Sequence, residues 1–418
     1  MSRTLSIWQR PILIWAAGLI FSLPGYAADT QLTRGALTRA LEQAWRLNPQ
    51  AAAAEAREAE ARANRDVATG LTPEPGSVSI GSRNDRLNRN LGMQEYEVEL
   101  ATPLWLPGQK AAREAEADSR IDDATAKRAA LRSELAGELR DAWWALAAAR
   151  NANALAARRL ETARALEADV RRRYKVGELS RIDANLAQTE VHAAGAELIE
   201  AKATLLQADQ ALRNLTGTVA PAEMVEEALA SRHTPDATGA MSETHPLLAA
   251  AAAAARSARA KVTVADESRR AAPELALRVV RERGDFAEPY ANTVGVRLKI
   301  PFSSGAQVLR ETSAAQAEAN QADAEMLRTQ TRVQLETERT RRALASAEQQ
   351  LVMAQERVGL STENLRLSEK AFSLGETDLA TLLRIRAAAF DADAFLDRQR
   401  VARAAAISRL NQALGVLP

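Results

Sequence analysis

Two periodicities share this chain. In Tyr96-Glu97-Val98-Glu99-Leu100 apolar and acidic residues alternate strictly, and in Val294-Gly295-Val296-Arg297-Leu298-Lys299-Ile300 apolar residues alternate with small or basic ones. Val78 and Ile80 mark another short segment of this kind, as do Leu275, Leu277 and Val279. A period of two gives a segment one apolar and one wet face, so strands are expected over about 76–83, 94–102, 274–283 and 292–301. The rest of the pattern is helical. Between Gly108 and Val176 there is no proline and only Gly137 interrupts; between Ala306 and Leu374 only Gly359 does. At about 1.5 Å per residue each stretch makes a helix roughly 100 Å long. In the second stretch Leu344, Leu351, Val358, Leu365 and Phe372 recur every seven residues, followed at +3 by Ala347, Ala354, Ser361 and Ser368. That is a heptad seam whose small residues let helices approach closely. In the first stretch Leu146, Leu160 and Tyr174 keep the seam, whereas Asn153 and Glu167 do not.

The chain also repeats itself. YKVGELSRID at 174–183 and FSLGETDLAT at 372–381 lie 198 positions apart, and the same shift aligns Val98 with Val296, Pro103 with Pro301, Leu146 with Leu344 and Gly217 with Gly415. Repeats of this length define architecture. The expected organisation is a first repeat over 28–217, with long helices at about 108–176 and 179–216, and a second over 243–418, with long helices at about 306–374 and 377–414. Each repeat opens with one helix, Thr33–Thr69 or Pro246–Arg270. A connector over 218–242 contains Pro221, Pro235, Gly239 and an expected short helix, Ala222–Ala230. Gly177 and Gly375 suit the left-handed residue that ends a helix, and Ser180 and Asp378 suit the cap of the returning one. Tyr174 and Phe372 close the seam beside them, and Asp183 stands one turn into its helix.

The strands admit two readings. One is a small sheet capping a helical bundle. The other is a share of a transmembrane barrel, with apolar residues toward lipid and Glu95, Glu97, Glu99, Arg297 and Lys299 toward a water-filled lumen. Tyr96, Trp105, Phe286, Tyr290 and Phe302 flank the segments, as aromatics do at bilayer interfaces. Four strands cannot close a pore, so this second reading requires oligomers, and a trimer supplies about twelve. A solitary coiled-coil spacer is the corresponding alternative for the helices.

Composition narrows the function. With 55 basic and 54 acidic residues among 418, the net charge is +1, which argues against a nucleic-acid footprint. There is no cysteine, hence no disulfide, thiolate metal site or cysteine lipid anchor, and aromatics make up only 4%. Arg3 and Arg10, the apolar run Ile12–Leu23 and Gly25-Tyr26-Ala27 read as a secretory signal peptide over 1–27, cleaved after Ala27 or Ala28, with an uncleaved anchor helix as the alternative. No phosphate loop, nucleophile elbow or metal-ligand cluster points to an enzyme; His192, His233 and His245 are scattered. No cofactor is expected.

Signal peptide, two halves, two strands per half, long helices and Tyr-x-x-Gly-Glu-x-Ser-x-x-Asp tips together resemble the TolC-type outer membrane factors. The resemblance covers nearly the whole mature chain. It implies a mainly α protein with a small β part: a homotrimer with a twelve-stranded barrel in the Gram-negative outer membrane, continued by an α-helical tunnel in the periplasm. It places the 218–242 connector in the equatorial region. It assigns Tyr174, Gly177, Ser180, Phe372, Gly375 and Asp378 to tips that dock a periplasmic adaptor, itself coupled to an inner-membrane pump. Family members commonly narrow the tunnel with acidic residues just past the tips. Here Asp183 matches, whereas the second-half position is Thr381 with Arg384 one turn on, so an acidic ring would come from the first half alone. The turn Pro103-Leu104-Trp105-Leu106-Pro107-Gly108-Gln109-Lys110 resembles that of the CzcC-like subgroup, which implies heavy-metal cation efflux through a resistance-nodulation-division pump. The alternatives are the same duct serving multidrug efflux or type I protein secretion, and a periplasmic coiled-coil scaffold without a pore.

Overall fold

A computed structural model describes residues 27–230, 245–302 and 304–418. The expected signal peptide and His233 lie outside the described residues, apart from Ala27. In chain order the elements are α1 (Ala27–Leu47), α2 (Pro49–Ala68), β1 (Ser77–Asn84), β2 (Gln94–Pro103), α3 (Gln109–Lys175) and α4 (Arg181–Thr216). They are followed by α5 (Pro246–Glu267), β3 (Glu274–Arg283), β4 (Ala291–Lys299), α6 (Gly305–Ser373) and α7 (Leu379–Ala413). The protein is thus mainly helical with one small antiparallel sheet, ordered β1-β2-β3-β4.

The helices run long because Ala, Leu, Glu and Arg fill them and nothing inside breaks them. The 67-residue α3 is central and packs against α1, α2, α4, α5 and α7. Leu139, Trp143, Leu146 and Leu135 on α3 form the main core with Leu37 and Leu41 of α1, Leu212 of α4 and Ala404 of α7. The indole N–H of Trp144 donates to Ser408 Oγ at 2.8 Å, so the polar edge of a buried ring is satisfied. The heptad seam of α6 is the stripe it buries: Leu344, Ala347, Ala354, Ser368 and Phe372 are all buried. Leu344 and Ala347 pack there on Ile407 and Leu410 of α7.

Two expected helices differ. The single helix expected over Thr33–Thr69 is two, α1 and α2, broken at Asn48. Pro49 cannot donate a backbone hydrogen bond and pushes Asn48 out of the helical region, to φ −75° and ψ 118°. Asn48 then caps α2, its side-chain oxygen accepting from Gln50 N at 2.8 Å. The short helix expected over Ala222–Ala230 is absent; the segment is an extended strap. Its backbone groups are bonded to side chains of α3 and α7 instead of to each other. Arg150 donates to Ala222 O at 3.0 Å, Asn411 Nδ2 to Ala228 O at 3.0 Å, and Ala230 N donates to Asn411 Oδ1 at 2.9 Å. Arg140, only 2% exposed, anchors the strap through Glu227 at 2.8 Å and 3.0 Å and also donates to Val416 O at 3.0 Å.

Candidate functional site

The sheet is built from direct cross-strand rows. Ile80, Val98, Val279 and Val294 form one row, and Val78, Leu100, Leu277 and Val296 the next. Because side chains alternate, all eight share one face. That face is bare: Ile80 is 81% exposed and Val296 73%. Among the described residues no helix covers it, whereas a sheet in water buries its apolar face. β1 and β4 each leave one edge unpaired among the described residues.

The opposite face carries the charges. Glu95, Glu97, Glu99, Arg297 and Lys299, the residues expected to share a face, do so by strand parity. They are cross-linked: Arg278 reaches Glu97 at 2.6 Å and Glu95 at 3.4 Å, Arg83 reaches Glu95 at 3.7 Å, Lys299 reaches Glu274 at 3.9 Å, and Arg297 pairs with Glu99. Arg83, Arg278 and Glu274 escaped the sequence reading. Their parity within the strands was available, but pairing partners require the register. So one sheet separates an uncovered apolar surface from a charge-lined one.

At the far end of the helices the two hairpin tips pack together. Leu166 and Val170 of α3, Ala187 of α4, Phe372 of α6, and Leu379 and Leu382 of α7 form one cluster. The guanidinium of Arg173 lies over the Phe372 ring at 5.4 Å. Both helices end in the same way. Gly177 and Gly375 have φ of +85° and +77°, and the next N–H turns back: Glu178 N to Arg173 O at 2.9 Å, Glu376 N to Ala371 O at 2.9 Å. A Cβ at either glycine would meet nothing within 4 Å, so a substitution is opposed by backbone strain and not by crowding.

The returning helices begin differently. Ser180 and Asp183 form a capping box. Ser180 Oγ accepts from Asp183 N at 3.2 Å, while Asp183 Oδ2 accepts from Ser180 N at 3.0 Å and from Ser180 Oγ at 2.7 Å. The Asp183 carboxylate therefore serves the helix start first. Asp378 caps α7 by accepting from Thr381 N at 2.8 Å. The Thr381 hydroxyl, and then its backbone N–H, hold the Asp378 carboxyl below the usual carboxylate range. Arg384 is exposed one turn on. Tyr174 is 40% exposed where Phe372 is 7% exposed, so the two aromatics at corresponding sequence positions do different jobs.

Beside the second tip lies an open groove of about 410 Å³ between α6 and α7, lined by Ser361, Asn364, Leu367, Ser368, Thr381 and Ile385. Ser368 Oγ is buried there without a hydrogen-bond partner. The groove was not anticipated, although the small +3 residues of the heptad are what opens it.

The Leu-Pro-Gly-Gln turn has a structural role. Gly108 adopts φ +80°, and a Cβ there would meet Glu267 Oε2 at 2.5 Å. The buried Gln109 accepts from Leu106 N at 3.2 Å and donates to Ser268 Oγ at 3.1 Å, joining the start of α3 to the end of α5. His192 lies on α4 and His245 caps α5. Among the described residues no group of three or more His, Cys, Asp or Glu is placed to hold a metal ion. Among them, too, no helix is long and apolar enough to cross a membrane.

Comparison with known proteins matches these features. Residues 40–218 match the family described as outer membrane efflux protein. The cobalt-zinc-cadmium resistance protein CzcC of Cupriavidus metallidurans is 28% identical over 209 residues, 49% of this chain and 50% of that protein. The match therefore spans about half of the relative's length. Among solved structures, the outer membrane protein VceC of Vibrio cholerae superposes with a TM-score of 0.75 at 16% identity, covering 93% of this chain and 98% of that one. The CmeC outer membrane channel of Campylobacter jejuni gives 0.73 at 16% identity, with 91% and 85% covered. The fold is that of TolC-type outer membrane channels, and the match to the outer membrane efflux protein family lies within residues 40–218.

Proposed function

We propose that this chain, whose residues 40–218 match the outer membrane efflux protein family, is one protomer of a trimeric export duct in the outer membrane. The observation that carries the reading is the sheet: an uncovered apolar face, a charge-lined opposite face and two unpaired edges. In lipid an open edge leaves backbone groups unpaired, and closure of three sheets edge to edge removes every edge. The apolar rows then meet lipid, and Glu95, Glu97, Glu99, Arg278, Arg297 and Lys299 line the lumen. Strands of eight to ten residues suit a bilayer.

The helices support the same assembly. On α6 the residues Met353, Leu360 and Leu367, and Leu374 at its C-terminal cap, spaced by seven, are all exposed, as are Ile199 and Leu206 on α4. Apolar residues in a heptad row want a neighbouring helix, and further copies of the chain supply it. The tips, Tyr174, Gly177 and Ser180 with Phe372, Gly375 and Asp378, then form the periplasmic mouth. The groove beside Thr381 receives a helical hairpin of a periplasmic adaptor, which links the duct to an inner-membrane resistance-nodulation-division pump. Three copies of Asp183 make the acidic part of the mouth, with Thr381 and Arg384 alternating between them. The kinship with CzcC favours heavy-metal cations as cargo. A duct need not hold its cargo in a ligand cage, since selection belongs to the pump.

Purified protein in planar bilayers tests the duct: trimers with stepwise conductance are expected, and neither would be seen from a pore-less scaffold. A deletion strain tests the cargo. Lowered tolerance of zinc, cobalt and cadmium is expected; sensitivity to organic compounds with unchanged metal tolerance would reassign it.

A further inference from the structure

Arginines occur on both faces of the sheet, and the two sets are treated differently. On the charged face Arg83, Arg278 and Arg297 are each paired with glutamates. On the apolar face, at the end where the β1–β2 and β3–β4 hairpins turn, stand Arg281 and Arg283. Neither has a carboxylate partner among the described residues. Both instead lie against one aromatic ring: the guanidinium carbons are 4.8 Å and 4.9 Å from the Tyr290 centroid, and Arg283 is also 5.3 Å from that of Phe286.

The ring is itself held. Tyr290 Oη donates to Gln94 Oε1 at 2.7 Å, and Gln94 Nε2 donates to the Tyr96 hydroxyl. Arg283 Nε donates to Gly92 O at 3.0 Å, which orients the guanidinium and leaves its outer N–H groups free. The nearby hairpin carboxylates are engaged in closing turns. Asp285 accepts from Ala287 N and Glu288 N, Glu288 from Gly284 N, and Asp85 Oδ2 from Leu91 N, while Asp85 Oδ1 is buried without a hydrogen-bond partner and makes no ion pair with either arginine. Two like charges on one ring, with no carboxylate partner among the described residues, favour an anion supplied from outside. Flat, fixed guanidinium groups match the oxygens of a phosphate.

We infer that Arg281 and Arg283, seated on Tyr290, form a site for the phosphate of a lipid headgroup in the outer leaflet. The inference rests on reading the sheet as part of a membrane barrel. The site then stands on the lipid-facing surface at headgroup level, where arginines reach anionic lipid and aromatics mark the interface. Its occupant is a phosphorylated lipid, because the Ile80–Val294 row on the same face requires acyl chains beside the site.

Native mass spectrometry of the full-length protein in a zwitterionic detergent tests this, with a bis-phosphorylated glucosamine lipid and its dephosphorylated form as probes. Saturable binding of the phosphorylated form is expected, at one per protomer. Arg281→Gln or Arg283→Gln should weaken it by about tenfold or more, and the corresponding Lys variants by less. Arg86→Gln, in the neighbouring hairpin, should leave it unchanged. Equal binding by native and double Gln variants, no preference for the phosphorylated lipid, or equally strong displacement by inorganic phosphate overturns the site. Bilayer conductance of the same preparations reads the duct separately. Conducting trimers with arginine-independent lipid binding would sink this inference alone, whereas absent conductance from native protein would sink the barrel reading.

Discussion

The two longest helices look alike in sequence and are used differently. α3 has 67 residues, of which 20 are buried; α6 has 69, of which 10 are buried. α3 is wrapped by five other helices and carries Trp143, Trp144 and the buried Arg140 into the core. Among the described residues α6 packs chiefly on α5 and α7, meeting α3 and α4 through Phe372 at the tip, and it leaves Met353, Leu360 and Leu367 exposed. A helix that is solvated on its outer face does not need a second heptad row of apolar residues. The contrast teaches that α3 stabilises the protomer, whereas α6 is shaped for something beyond it.

The largest expected effect breaks the protomer from the α3 side. Arg140→Ala strips Glu227 of its buried partner and frees the strap, at a cost of about 3–5 kcal/mol; urea titration of the purified protein should show it as a lower midpoint. On the α6 side the same kind of measurement should stay nearly flat. Leu360→Glu with Leu367→Glu removes about 2 kcal/mol of apolar burial per side chain from a subunit contact only. The outcome expected by light scattering or native gels is loss of trimer with helical content retained, and a stable trimer would refute the role given to α6.

The sheet offers a test of similar size. Val296→Arg costs about 2–4 kcal/mol if the residue meets lipid, and insertion into liposomes should fail. Val67→Arg, on an equally exposed valine of α2, should change stability by under about 0.5 kcal/mol. Equal effects would mean that both valines face water. Smaller still are the caps. Ser180→Ala and Asp378→Ala should each cost about 1 kcal/mol, with the first larger because it undoes a reciprocal pair.

The smallest effect is a pH dependence confined to one half. Asn48 and His245 cap α2 and α5 from corresponding positions before a proline. Burial pushes the His245 imidazole below its ordinary pKa, so the fold favours the neutral ring. Its contribution is present above the unfolded value of about 6.5 and is lost as pH falls through the lower folded value. Thermal melts from pH 7.5 to 5 should show that loss, and His245→Asn, which copies the other cap, should remove it.

Much was readable from residue order. Strict alternation at Tyr96–Leu100 and Val294–Ile300 identified strands and put Glu95, Glu97, Glu99, Arg297 and Lys299 on one face, because parity is local. Gly177 and Gly375 announced helix ends, because positive φ selects glycine. Asp183 reads from its position as a helix-start carboxylate, whereas its reciprocal bonding with Ser180 is seen only in the structure. The break at Asn48-Pro49 was visible too, but the surrounding Ala, Glu and Arg pattern read through it as a single helix.

What residue order determined, then, was each element and its two faces, since these depend on neighbours two to seven positions away. Only the tertiary structure decided which faces stay open. That the 222–230 strap is extended follows from Arg150 and Asn411, which take its backbone hydrogen bonds, and from Arg140, which holds its Glu227 side chain; all three are far away in the chain. That Arg278 is paired with glutamates while Arg281 meets no carboxylate among the described residues follows from strand register, and that Phe372 is buried while Tyr174 is not follows from how the two tips lean together. Burial and charge pairing belong to the packed molecule, because both are set by partners that the local sequence does not contain.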